Sequence, residues 1–303
     1  MKSDFLYKIN EDFYQTLIKR IPILSSIRII LIIFVYTAIG YTSYVLGNSG
    51  LLLTPILSFI LAGFVNAGHD CVHLGQFKSS KMNRIFGIFW STPLLINFSR
   101  YKYQHLIHHQ KTSFDGDTEP SFEFRSFKQY LFEFIGIHYW YAVLRGIYRI
   151  NRNLFPESVQ LNRNKIFDVK IDNAIIEVFI LITFCITYKF PIIMLHFYWI
   201  PLLFYPGILF VFSLPEHYKC EKFSKDIRTN TRSVSSNFLV RFFMWNANYH
   251  SEHHAFPRIP ANNLGKLENV IPKNYFNTDT SYIYFHYKVI LELVNKKKNK
   301  CEI

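Results

Sequence analysis

Eight of the twelve histidines in this chain fall into three short clusters: His69 with His73, His105 with His108 and His109, and His250 with His253 and His254. On a helix, residues three and four apart share a face with their Cβ atoms about 5–6 Å apart, so each cluster can aim two imidazoles at one ion. Imidazole suits iron, zinc, copper and nickel, whereas carboxylate and carbonyl oxygens suit magnesium and calcium. A structural zinc site closes with four ligands and a catalytic one keeps three, so this many convergent histidines imply two metal ions or several independent sites. His138, His196 and His286 stand alone and read as ordinary core or surface histidines.

The elements that must carry these clusters are written in the apolar runs. Half of the 303 residues are hydrophobic, which favours a membrane class. Residues 29–46 and 51–68 are nearly uncharged, and each is about the 17–25 residues that one bilayer crossing needs. Gly47, Asn48, Ser49 and Gly50 join them as a turn. A second apolar region divides into residues 171–187 and 194–214, broken near Tyr188–Pro191. Glu177 lies inside the third run, where an intramembrane carboxylate is costly unless functional or near the interface, and it reads as interfacial. The tips of both hairpins are almost free of Lys and Arg, with only Lys189 in the second. Lys2, Lys8, Lys19, Arg20, the long middle segment and the tail are basic, so the positive-inside rule makes both termini cytoplasmic.

One shared site requires an even number of crossings between clusters, and two hairpins satisfy that requirement. Residues 85–98, with Pro93, are too short for an out-and-back crossing and read as interfacial. Residues 127–152 read the same way, with Leu131, Phe134, Ile135, Tyr139 and Tyr141 spaced among Lys128, Glu133, Arg145 and Arg149. The expectation is an all-α integral membrane protein of four transmembrane helices in two hairpins, with interfacial helices and a cytoplasmic histidine-rich cap. It is a single domain over residues 1–303, with a cytoplasmic segment at 1–28 and a basic tail from about 271 to 303.

Asp4, Glu11 and Asp12 interrupt the first residues, so no cleaved secretory leader is expected. Cys71, Cys185, Cys220 and Cys301 are scattered, which indicates neither a disulfide framework nor a thiolate site. The net charge of +13 accompanies apolar spans rather than a nucleic-acid motif, and anionic lipid headgroups account for it. Lys296, Lys297, Lys298 and Lys300 read as a solvated tail meeting lipid or an acidic partner.

The runs His69-Asp70-Cys71-Val72-His73, His105-Leu106-Ile107-His108-His109 and His250-Ser251-Glu252-His253-His254 resemble the three histidine boxes of membrane fatty acid desaturases and related hydroxylases. Asn246-Ala247-Asn248-Tyr249 before the third box and Ala255-Phe256-Pro257 after it are similar to its usual setting, and the likeness spans about residues 25–270. The resemblance implies two iron ions, dioxygen as co-substrate, a lipid acyl substrate, and an external electron donor, either a ferredoxin or a b-type cytochrome. It also implies a ninth ligand just after the fourth span, where Pro215-Glu216-His217 stands. In some members an Asn four residues earlier contributes, and here that position is Ser213. Three residues separate the histidines of the first box, which resembles acyl-lipid desaturases and carotenoid ketolases more than acyl-CoA enzymes. The third box opens with His250 rather than Gln, and no His-Pro-Gly-Gly haem motif is present.

A ligating imidazole usually gives its other N–H to a carboxylate, carbonyl or water. Asp70 and Glu252 lie inside boxes and rank first for that role, with Asn246 and Asn248 beside the third box, and with Asp115, Asp117 and Glu119 as further candidates. The leading expectation is an acyl-lipid desaturase, and a carotenoid ketolase or hydroxylase shares the same boxes. A metal transporter fits poorly, because transport calls for polar residues along the spans and these histidines lie beyond them.

Overall fold

The computed structural model of the chain describes residues 9–119, 123–155, 159, 161–272 and 275–301, without the side chains of 269 and 296–301. Lys2 and Lys8, and the side chains of Lys296, Lys297, Lys298, Lys300 and Cys301, lie outside the described residues.

The fold is almost wholly helical. After α1 (Glu11–Leu17) come α2 (Pro22–Val45) and α3 (Thr54–Val72), joined by a 3-10 turn over Gly47–Leu53. Pro22 and Pro55 occupy first turns, where a missing N–H costs nothing. Then follow α4 (Ser80–Ser91), α5 (Phe98–Lys111), α6 (Phe127–Phe134), α7 (Ile137–Asn151) and α8 (Arg163–Lys189). The short α9 (Pro191–Met194) runs through a π-helical turn, Leu195–Trp199, into α10 (Ile200–His217). The remainder is α11 (Ile227–Asn230), β1 (Ser233–Val234), α12 (Phe238–Phe243), α13 (His250–Ala255), α14 (Ala261–Leu264), β2 (Thr278–Asp279) and α15 (Tyr282–Cys301). The strands pair in parallel, Ser233 with Thr278 and Val234 with Asp279.

Three helical runs are long and apolar enough to cross a membrane: Glu11–Val45, Gly47–Val72 and Pro191–His217. The expected fourth crossing, residues 171–187, lies within α8 and is not among them. Its carboxylates have protein partners: Asp172 binds Arg84 at 2.9 Å, and Glu177 accepts from Asn151 at 2.5 Å and Asn173 at 3.0 Å. Residues 85–98 form no span. They are the end of α4, a 3-10 turn at Thr92–Leu94 and a reversal at Leu95, whose φ is 59°. Residues 127–152 form two helices rather than one, because Gly136 turns the chain with φ 79°.

A central core packs Ile32, Leu61, Phe64, Trp90, Leu94, Tyr205 and Trp245 between α2, α3, α4 and α10. A second core lies under the third histidine cluster, where Leu17, Tyr249, Phe256, Ile259, Leu264 and Leu267 meet. Outside the spans such burial contributes about 1.5–3 kcal/mol per large side chain. The chain around residues 17–20 is tied to the rest of the molecule: Asn263 donates to Leu17 O at 2.8 Å, and Arg20 Nε donates to Leu74 O at 2.6 Å.

Candidate metal centre

The first cluster ends α3. His69 is in its last turn, His73 is its C-cap, and Leu74 leaves with φ 58°. The second lies on α5, whose start is set by Asn97 accepting from Arg100 N at 2.9 Å. That cap fixes the phase that brings His105, His108 and His109 to one side. The third is α13, delivered by two successive left-handed residues, Trp245 (φ 52°) and Asn246 (φ 54°). Asn246 holds this turn through its own N–H to Arg241 O at 2.9 Å and its side chain to Ala261 O at 2.7 Å. His217 ends α10.

All nine of these histidines meet, in two adjoining groups. His69, His73, His105, His109 and His253 form one, and His108, His217, His250 and His254 form the other, with potential ligand atoms within 4.8 Å of one another in each. In the first group the Nε2 of His105 is 2.8 Å from that of His69 and 2.9 Å from that of His109, which is 3.0 Å from that of His253. In the second, the Nε2 atoms of His250 and His217 are 2.9 Å apart. The groups touch where the His109 and His254 rings stack, 4.3 Å between centroids.

Acceptors at the outer nitrogens decide the tautomers. His105 Nδ1 donates to Glu119 at 3.1 Å, His108 Nδ1 to Asp117 at 2.8 Å and His217 Nδ1 to Asn230 O at 3.0 Å, and His250 Nδ1 faces Glu216 Oε1 at 3.4 Å. With Nδ1 carrying the proton, Nε2 of His250 and of His217 each present a lone pair, and two lone pairs at 2.9 Å repel unless a cation lies between them. His73 Nε2 and His254 Nε2, one in each group, are buried with no hydrogen-bond partner among the described residues. A buried polar atom without a partner is costly, and a metal ion in each group satisfies both. The donor set therefore fits metal.

Burial, reinforced by neighbouring imidazoles, holds His73, His105, His250, His253 and His254 well below the ordinary histidine range and His109 down to about 2. The rings are neutral, the form that ligates. Burial also pushes the Glu119 carboxyl up to about 7, against the pull of His108. For Asp117 burial raises the carboxyl, but the His108 hydrogen bond and the backbone N–H donors of Glu119 and Ser113 outweigh it and keep it below the usual range.

The acids inside the boxes do not touch the rings. Asp70 accepts from Ala261 N at 3.0 Å, joining the end of α3 to the segment after the third cluster, and Gly75 is required beside it, since a Cβ there would lie 1.9 Å from Asp70 Oδ1. Glu252 accepts from Ser233 Oγ at 2.5 Å. Asn248 donates to Val234 O at 3.2 Å, and Asn246 holds its own turn. Asp115 is exposed. The acceptors are instead Asp117, Glu119, Glu216 and the Asn230 carbonyl. Glu216 escaped sequence reasoning, although its place beside His217 at the end of a helix aimed at the clusters was a usable signal. Ser213, Leu214, Trp245 and Ile259 line a cavity of about 440 Å³ together with seven of the nine histidines, all but His109 and His254. His138 lies outside, paired with Glu133, as do His196 with Ser43 Oγ at 2.8 Å and His286 with Tyr130 at 2.8 Å.

The chain matches the fatty acid desaturase family model over residues 42–286. It is 25% identical over 251 residues to a putative sphingolipid delta(4)-desaturase/C4-monooxygenase of Caenorhabditis elegans, covering 78% of this chain and 64% of that protein. It is 27% identical over 267 residues to a chloroplastic omega-6 fatty acid desaturase of Arabidopsis thaliana, covering 78% of this chain and 58% of that protein. With the human sphingolipid delta(4)-desaturase DES1 it shares 28% over 217 residues, covering 69% of this chain and 61% of that protein. The chain thus spans less than two thirds of the length of each of these relatives. Helical runs ending in convergent imidazoles, and a family match across most of the sequence, point the same way: the chain belongs to the fatty acid desaturase family.

Proposed function

We propose that the protein is an O2-dependent di-iron desaturase that introduces a C=C bond into a fatty acyl chain of a membrane lipid. The observation carrying this reading is the pair of imidazole groups, five and four, in which four neighbouring pairs of inner nitrogens stand 2.8–3.0 Å apart. At metal–nitrogen distances of about 2.0–2.1 Å, ligands 90° apart stand about 2.9 Å from one another, whereas tetrahedral ligands stand about 3.4 Å apart. The spacing and a five-member group favour an ion of higher coordination than tetrahedral zinc, and an all-imidazole set disfavours magnesium and calcium. Iron satisfies both conditions.

His69, His73, His105, His109 and His253 would hold one ion, and His108, His217, His250 and His254 the other. Two ferrous ions bound there, with dioxygen and external electrons, would supply the oxidising power needed to remove hydrogen from an unactivated C–H bond. The protein's own contribution is positional. Asp117, Glu119, Glu216 and the Asn230 carbonyl keep the Nδ1 protons of His108, His105, His250 and His217 outward, so the inner nitrogens of these four stay donors to metal. Trp245, Leu214, Ile259 and Leu264 give the cavity an apolar wall that excludes water and seats an acyl chain against the imidazoles.

The proposed topology adds α8 to the three apolar runs as a fourth crossing. An even number of crossings then separates the clusters, and the centre and both termini lie on the cytoplasmic side. The chain acts as one domain, with a ferredoxin or b-type cytochrome delivering electrons to the basic cytoplasmic face. The nematode relative is a putative desaturase and monooxygenase, so hydroxylation of the same substrate position is the second reading. The test is the acyl profile of an electron-donor-competent host expressing the chain or its His253→Ala variant at matched abundance. New unsaturated acyl chains dependent on His253 support desaturation, and new hydroxyacyl chains support the second reading. An unchanged profile from a folded, iron-loaded protein defeats both.

A further inference from the structure

The end of α10 carries Glu216 and His217 into the second histidine group, yet Pro215 stands inside that helix directly before them. Proline has no N–H, and its ring crowds the carbonyl four residues earlier. Val211 O therefore has no i→i−4 donor, and a helix interrupted in this way bends at the proline unless something else fixes its course. The missing donor comes from α15: His286 Nε2 lies 2.9 Å from Val211 O, and the Tyr130 hydroxyl of α6 lies 2.8 Å from His286 Nδ1. A carbonyl only accepts, so Nε2 carries the proton and Nδ1 accepts from Tyr130. One neutral ring thus ties α6, α10 and α15 together. Both partners are fixed by burial, His286 at 7% and Tyr130 at 5% accessible.

Beyond the proline the same helix end is held from the other side. Arg232 Nη1 donates to Pro215 O at 2.7 Å and to Tyr218 O at 2.9 Å, and its backbone N–H to Glu216 O at 2.8 Å. Its guanidinium lies 5.2 Å over the ring of Phe285, the residue beside His286 on α15. Leu214 and Tyr218 of α10 and its C-cap pack with Phe285 and Val289 in one core cluster. What the braced end presents belongs to the second group alone: His217 Nε2 stands 2.9 Å from His250 Nε2, and Glu216 Oε1 stands 3.4 Å from His250 Nδ1. A tilt at Pro215 therefore moves a ligand and the outer partner of another ligand together, while His69, His73, His105, His109 and His253 stand on other elements.

We infer that His286 is a positioning residue for the second metal group: by donating to the carbonyl that Pro215 leaves without a helical donor, it sets the direction in which α10 presents Glu216 and His217. The inference rests on the reading of His217 as a ligand to one of two ions. The experiment takes the full chain in detergent and reads ferrous iron retained per folded molecule against a graded chelator. Hydrogen exchange at the Glu216 and His217 amides of the metal-free protein is read in parallel. His286→Phe weakens the hold on one iron about tenfold, the scale of one acceptor left without its donor. It leaves the other iron as in the wild type and quickens exchange at both amides. His286→Gln, whose amide nitrogen reaches as far as Nε2, retains both irons. Pro215→Ala gives Val211 O a helical donor of its own, so the double variant His286→Phe with Pro215→Ala recovers the second iron. Should His286→Phe not fold, His286→Asn, whose amide reaches only as far as Nδ1, takes its place. Retention equal to the wild type, parallel loss of both irons, or no recovery in the double variant overturns the assignment. A wild type that holds fewer than two irons defeats the two-ion reading instead, and amide exchange then decides, since exchange unchanged by His286→Phe overturns the positioning role.

Discussion

The sharpest consequence of the geometry concerns Asp117. It accepts from His108 Nδ1 at 2.8 Å and also from the backbone N–H groups of Ser113 and Glu119, both at 2.9 Å. Asp117→Asn keeps the shape but replaces one acceptor oxygen with an NH2, which then faces an N–H donor whichever way the amide turns. The variant must either strand that donor or release the His108 ring. Loss of an outer partner to a ligating histidine weakens metal affinity about 10–100-fold, which is about 1.4–2.7 kcal/mol. The assay is ferrous iron retained by the purified protein against a graded chelator, with Asp115→Asn and Glu252→Gln in parallel. Asp115 is exposed and Glu252 is bound to Ser233, so both should retain iron like the wild type. If Asp117→Asn holds iron as tightly as the wild type while Glu252→Gln loses it, the assignment of ring partners is wrong.

Other perturbations follow from the same contacts. Arg28, on α2, donates to Arg241 O at 2.7 Å and Asn262 Oδ1 at 2.8 Å and lies 4.4 Å over the Trp245 ring. Arg28→Met unties both flanks of the third cluster and leaves buried acceptors without a donor, which should cost about 1–3 kcal/mol, read as thermal unfolding in detergent. Gly75→Ala should cost about 1–3 kcal/mol by forcing Asp70 off Ala261 N, and an unchanged melting temperature would refute the clamp. The metal-free protein should lose stability as pH falls. Its buried histidines have folded values far below the unfolded value of about 6.5, so below that pH the unfolded chain binds protons that the folded one refuses. Each such histidine removes up to about 1.4 kcal/mol per pH unit, and a flat stability profile from pH 7 to 5 would contradict neutral, buried imidazoles.

How much of this was legible in the sequence differs between ligands and their supports. The histidines were readable because three- and four-residue spacing repeats one helix face, and the resemblance added His217. The supports were misranked for the same geometric reason. Asp70 and Glu252 each directly adjoin a histidine, and an immediate neighbour on a helix points about 100° away from it. Asp70 and Glu252 therefore brace the scaffold, at Ala261 and Ser233. Asp117 and Glu119 reach the rings because the chain after α5 folds back along it, held by Thr118 donating to Gln104 O at 2.6 Å, a tertiary event with no periodic signature. That α2 and α3 are long and apolar enough to cross a membrane was legible from uncharged length. The break at Gly136 depended on a positive φ, which a helical hydrophobic pattern running straight across it concealed.

The central claim is that nine imidazoles hold two ions of iron, and metal stoichiometry tests it most directly. The full chain, purified anaerobically and loaded with ferrous iron, would be assayed for iron per folded molecule, with X-ray absorption reading the coordinating atoms. The account predicts two irons per chain in a nitrogen-dominated shell, falling to about one when His250 and His254 are both replaced by Ala. A folded wild-type protein that binds a single iron, or that holds iron in an oxygen-rich shell, would contradict it.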